Sequence, residues 1–149
     1  MFKIFLALHL LAAVFAIGPL VHATTTASRG LRTGDGAATA ASARIATLYS
    51  YASVGVIVFG FGLMSMDNPY GPGKVADMGD PFIWGSLVLW LVALGLTLGV
   101  IVPTLQQATV NITNGVGVDG LTARVASCGG LVGLIFAAII FLMVYKPGS

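Results

Sequence analysis

Four uninterrupted apolar stretches, residues 4–23, 45–66, 82–102 and 125–145, decide what this chain can fold into, because none of them contains Lys, Arg, Asp or Glu. A helix needs roughly 20 apolar residues to cross the hydrocarbon core of a bilayer, and each stretch has that length. Backbone N–H and C=O groups left unpaired in hydrocarbon are prohibitively costly, so each stretch must close its hydrogen bonds within itself as a helix. The expected fold class is therefore all-α: a polytopic membrane protein built as an antiparallel four-transmembrane-helix bundle. It forms one membrane domain over 1–149, with polar connections at 24–44, 67–81 and 103–124. Composition agrees, since 57% of the residues are hydrophobic and only 8% charged, whereas soluble domains carry ~25% charged residues.

The first stretch has two readings. Lys3 gives a positive flank, Ile4 to Ile17 is apolar, and Val21-His22-Ala23 offers small or aliphatic residues where a signal peptidase would cut. Cleavage would leave three helices and remove both histidines; retention completes a four-helix bundle, and retention is the expectation here. Gly18-Pro19 is expected to end this helix or kink its last turn. Asp35 is placed to cap an alanine-rich run, Ala37 to Ala43, that starts the second helix before its span. Tyr49, Tyr51 and Trp84 fall near interfaces, where aromatic rings with a polar handle prefer to sit, and Trp90 lies deeper, against protein. Asp67 to Gly73 concentrates turn residues and predicts a compact hairpin loop. Beyond Pro103 the third helix is expected to continue to about Thr113 and turn at Asn114-Gly115, in preference to a small hairpin over 112–117.

Arg29, Arg32, Arg44 and Arg124 flank the spans on one side, and Lys3, Lys74 and Lys146 on the other. The positive-inside rule puts the arginine side in the cytoplasm of a bacterial plasma membrane. An even helix count then places both termini together on the outside.

Chemistry has few candidates. The basic residues are scattered, which gives no nucleic-acid stripe and only a modest attraction to membrane lipids. One cysteine, Cys128, excludes an intramolecular disulfide. Asp67, Asp77 and Asp80 lack the spacing of a calcium loop. No catalytic residue, metal site or cofactor is expected, and buried carboxylates of the kind used in proton relays are missing from the spans. The one exception weighed is haem or quinone binding at His9. His22 lies ~20 Å along the same helix and ~220° around it, so the two imidazoles cannot share an iron. Any second axial ligand would come from elsewhere, for instance a methionine such as Met64, Met66, Met78 or Met143.

The most informative pattern is steric. Gly129, Gly133 and Ala137 recur every four residues in the fourth helix, Ala126 and Gly130 form a parallel row, and Gly95 and Gly99 repeat the spacing in the third. Small residues so spaced let helix backbones approach closely, which in lipid substitutes for the hydrophobic drive to associate. Most such rows should pack the bundle internally, leaving at least one for an outside partner.

Leu8-His9-Leu10-Leu11-Ala12-Ala13-Val14 followed by Gly18, with four spans in a chain of this length, resembles a bacterial family of integral membrane proteins without an assigned activity. That resemblance implies no catalytic residues. Size and helix count are also similar to the accessory membrane subunits around actinobacterial cytochrome bcc and oxidase supercomplexes. This second likeness implies a non-catalytic accessory role in electron transport, with a larger integral membrane complex, respiratory in kind, as partner.

Overall fold

A computed structural model describes residues 1–148. The chain is all-α, with four long apolar helices consistent with a four-span membrane bundle. They are α1 (Phe2–Arg32), α2 (Gly36–Met64), α3 (Pro81–Thr113) and α4 (Asp119–Tyr145).

Helix α1 departs from the expected boundary. Gly18-Pro19 does not end it, and the polar residues from Thr24 to Arg32 continue the helix. The reason lies one turn earlier, where residues Ala13–Ile17 widen into a π turn. Proline has no N–H and its ring crowds the carbonyl four residues back, which here is Phe15, the middle residue of that turn. Widening the turn relieves the clash and keeps the helix going. Helix α3 uses the same device at the same spacing: a π turn at Thr97–Ile101 surrounds Gly99, four residues before Pro103. The helix then runs on to Thr113, as the sequence suggested, and turns through Gly115 at φ +70°.

The connections are short. Between α1 and α2, Gly34 takes φ +66°, Asp35 N–H donates to the Gly30 carbonyl at 2.9 Å, and the Asp35 carboxylate accepts from Ala38 N–H at 3.0 Å. Asp35 is thus the N-cap of α2. The α2–α3 loop closes on itself through an antiparallel bridge between Asp67 and Lys74, with Asn68 N–H bonded to the Gly73 carbonyl at 2.8 Å. Both ends of the chain meet this loop: Phe2 packs edge-on against Tyr70, and Lys146 Nζ reaches the Val75 carbonyl. The lysines therefore cluster at the end that carries the termini, and the arginines at the opposite end.

Packing is uneven along the bundle. In the arginine-bearing half, α1 packs against α2 and α4, and α3 packs against both of these as well. Leu20, Leu31, Ile101, Leu105, Val125 and Val132 form the fully buried centre. Toward the termini the helices separate into two pairs, the start of α1 on α2 and the start of α3 on α4, with sparse contact between the pairs. No residue of Phe2–Ala12 is buried within the chain.

The tightest contact is between α4 and α1. A Cβ added at Gly129 would overlap the Thr24 carbonyl, and one at Gly133 would lie 3.3 Å from the Thr25 methyl. At Gly95 and Gly99 nothing lies within 4 Å. Gly129→Ala should therefore lower stability by about 1–3 kcal/mol through overpacking. Gly95→Ala should be neutral or gain up to ~1 kcal/mol in helix propensity. Denaturant unfolding in detergent micelles checks both, and equal effects at the two sites would contradict this packing.

Candidate functional site

The buried polar side chains among the described residues are all hydroxyls: Thr24, Ser28, Thr39, Ser50, Ser53, Ser86, Thr97 and Thr104. Several bond to the preceding turn of their own helix, which satisfies them without a partner from another helix. Thr24 donates to the Leu20 carbonyl at 3.0 Å, Thr97 to Ala93 at 2.8 Å and Thr39 to Asp35 at 2.8 Å. Two are not satisfied. Ser50 Oγ and Ser86 Oγ are buried without a hydrogen-bond partner.

One hydroxyl does link helices. Trp90 Nε1–H donates to Ser53 Oγ at 3.0 Å, and Ser53 in turn donates to the Ser50 carbonyl at 2.6 Å. The half-buried Trp90 thus joins α3 to α2 near the level where the two helix pairs begin to part. Trp84 is exposed and donates to the Met78 carbonyl at 2.8 Å at the loop end of α3.

His9 makes the second side-chain hydrogen bond between helices in the spans. Its Nδ1 lies 3.0 Å from the Val56 carbonyl, which can only accept, so Nδ1 carries a proton and donates it there. Gly60 makes this possible, since a Cβ there would sit 3.2 Å from His9 Cε1. Phe5 fills the equivalent notch at Gly62 one turn nearer the terminus. His22 is exposed on the other end of α1, and its carbonyl accepts from Thr26 Oγ1 at 2.6 Å. The structure does not bring the two histidines together. Among the described residues no group of three or more His, Cys, Asp or Glu side chains converges.

The small-residue rows divide by use. Gly129 is buried and Gly133 half-buried, both against α1, while Ala137 on the same row is exposed. Gly95 and Gly99 face outward along α3, on a face continued by the exposed Val88 and Val92. Sequence spacing could not distinguish these rows, because it is identical in both helices and only the neighbouring backbone differs.

Two grooves flank the distal half of α3, and neither was foreseen from the sequence. One, of about 580 Å³, runs between α2 and α3 and contains Arg44, Tyr51 and Gln106. The other, of about 500 Å³, lies between α3 and α4 and contains Gly99, Gln107 and Arg124. The adjacent glutamines pointed to them: neighbours in a helix are ~100° apart, so Gln106 and Gln107 serve different faces.

The Ser50–Ser53–Trp90 arrangement can be checked by paired substitutions. Ser53→Ala should lower stability by ~0.6 kcal/mol, the usual value of an interhelical hydrogen bond in lipid. Ser50→Ala removes an unsatisfied buried hydroxyl and should leave stability unchanged or raise it by about 1 kcal/mol. Unfolding in detergent measures both, and a loss at Ser50 as large as that at Ser53 would contradict the assignment.

Comparison with known protein families, with characterised proteins and with solved structures returned no match to this chain.

Proposed function

We propose that this chain is a non-catalytic accessory subunit of a larger bacterial membrane complex, of the respiratory, cytochrome-oxidase type that its size and helix count resemble. The observation that carries the reading is the outward ribbon of Gly95 and Gly99, where nothing in the chain occupies the space a Cβ would fill. Glycine at this spacing lowers helix propensity by ~1 kcal/mol at each position. Its use is close approach to another helix. The bundle consumes Gly129 and Gly133 for its own packing and leaves this ribbon to a partner. The amino-terminal half of α1 adds to it, with Ile4, Leu10, Leu11, Val14 and Phe15 all more than half exposed.

The location that accompanies this reading is the bacterial plasma membrane. Four arginines against Asp35 and Asp119 give the arginine end its net positive charge. The positive-inside rule then makes that end cytoplasmic and both termini external.

Gentle detergent extraction followed by native electrophoresis and mass spectrometry is expected to find the chain at high mass with stoichiometric partners; recovery only as a free monomer overturns the proposal. The double variant Gly95→Leu with Gly99→Leu should fold normally but dissociate from the complex, because those positions touch nothing inside the chain.

A second reading has its own observation. A histidine whose Nδ1–H is held by a backbone carbonyl presents Nε2 as a fixed acceptor, which is how metal-ligating imidazoles are oriented. His9 bonded to the Val56 carbonyl has that arrangement. It suits a small redox membrane protein in which His9 contributes one axial ligand to a haem or a hydrogen bond to a quinone. A reduced-minus-oxidised absorbance spectrum of the isolated chain tests the haem case. A haem band that disappears in His9→Leu supports it, and a featureless spectrum from cells supplied with haem removes it.

A further inference from the structure

The groove between α2 and the distal half of α3 has a chemistry that subunit packing does not use. Its floor is made of small side chains, with Ala43 only 6% exposed and Thr47 half-buried. Thr47 Oγ1 donates to the Ala43 carbonyl at 2.8 Å and so offers no donor to a ligand. What remains is a set of free polar groups on its rim: the Arg44 guanidinium, the Gln106 amide and the Tyr51 hydroxyl, all exposed and without a protein partner among the described residues. No carboxylate lines the groove.

Depth gives these groups a meaning. Arg44 immediately precedes the apolar span that begins at Ile45, so it lies where hydrocarbon gives way to headgroups. Tyr51 sits ~10 Å further along α2, with the exposed Leu48 between them. The groove therefore begins at headgroup depth with a guanidinium and an amide and descends past an aliphatic wall to a phenol. Guanidinium is planar, weakly hydrated and shaped to bind two phosphate oxygens at once. The only acidic residues at this end are Asp35, whose carboxylate already caps α2, and Asp119 at the start of α4. The companion groove on the other side of α3 also holds an exposed arginine, Arg124, but it has neither a phenol nor an unbonded amide beside it. There the Gln107 amide is bonded to Asn111 Oδ1 at 3.0 Å, and Gly99, whose carbonyl has lost its usual donor to Pro103, lines the wall.

We propose that the Arg44 groove binds one anionic phospholipid. Arg44 and Gln106 donate to the headgroup phosphate, Tyr51 donates to the ester region, and Leu48 lies along an acyl chain. A lipid with a choline headgroup carries the same phosphate, but its trimethylammonium would sit beside Arg44 and the other arginines of this end, so the groove prefers a headgroup that adds no positive charge.

The test uses the full chain in mild non-ionic detergent, incubated with equimolar dioleoyl phosphatidylglycerol and dioleoyl phosphatidylcholine and read by native mass spectrometry. One phosphatidylglycerol should be retained about tenfold more than phosphatidylcholine, because the choline's positive charge beside Arg44 offsets part of what its phosphate gains from the guanidinium. Arg44→Gln should bring the two lipids to parity, whereas Gln106→Leu should weaken retention of both about threefold and leave the preference in place. Arg29→Gln, which alters an exposed arginine outside the groove, should leave it intact. No preference in the wild type, a preference that survives Arg44→Gln, or an equal loss in Arg29→Gln would each overturn the proposal, the last by showing diffuse surface charge instead of a site. Millimolar inorganic phosphate or glycerol 3-phosphate should fail to displace the lipid. Displacement by either would show that the groove reads a free phosphate and not a lipid. Circular dichroism of Arg44→Gln confirms that the variant is folded, as an exposed position predicts.

Discussion

The approach of the α4 backbone to the α1 backbone at Gly129 and Thr24 is the contact on which the bundle depends. Lipid tails solvate leucine as well as another leucine does, so helices in a membrane gain little from hiding apolar surface and associate through close packing. Gly129 permits that closeness because it has no side chain between the two helices. With α4 drawn onto α1, Leu20 and Leu31 are buried together with Val125 and Val132. The short turn through Gly34 and Asp35 then has no slack and lays α2 against α1. A buried Gly30, where a Cβ would meet Thr39 Oγ1 at 2.9 Å, makes that second contact almost as tight.

Polarity within the bundle is handled locally. Threonine and serine hydroxyls fold back on carbonyls of the preceding turn, so the core needs few bonds between helices. This leaves the two side-chain bonds that do cross the spans, Trp90 to Ser53 and His9 to Val56, as markers of register: each ties a particular height on one helix to a particular height on α2. The prolines act on shape instead. Each would break its helix if the turn around the orphaned carbonyl did not widen, and each helix changes neighbours across that turn. Before it, α1 packs mainly on α2 and α3 mainly on α4, with Trp90 reaching across to Ser53; after it, all four helices are in contact. The repeated spacing of π turn and proline thus coincides with the level at which the bundle opens.

That shape explains why the two ends have different surfaces to offer. At the end carrying the termini, apolar side chains of α1 face outward toward lipid or another helix, and midway along the bundle the glycine ribbon of α3 does the same. At the arginine end the helices are gathered together, and the grooves there are rimmed by hydrogen-bond donors near headgroup depth. A chain with few ionisable groups in its spans still presents distinct chemistry, because proline placement decides where apolar ridges separate and where polar rims converge.

Much of this was legible in the residues themselves. The four charge-free stretches required helices, since backbone groups cannot go unpaired in hydrocarbon. Asp35 declared a helix start, Asn114-Gly115 a turn, and Asp67 to Gly73 a hairpin, each through local stereochemistry that acts within a few residues. The sequence misled at Pro19, where a local rule that stops helices in water met a membrane span, in which ending the helix would cost more than widening one turn. What no local rule could supply was which face of each helix meets which neighbour. Gly95-x-x-x-Gly99 and Gly129-x-x-x-Gly133 are the same pattern, yet one is buried against Thr24 and Thr25 and the other is bare. His9 and Gly60, Trp90 and Ser53, and Arg44 and Gln106 are far apart in the chain and come together only when the rotation of each helix about its axis is set. Sequence by itself determined the number of the helices and, except at Pro19, where they end, because hydrogen bonding and capping are satisfied within a helix. Tertiary structure alone decided rotation and neighbour, and with them every candidate site, because those depend on the sum of many weak side-chain contacts between segments.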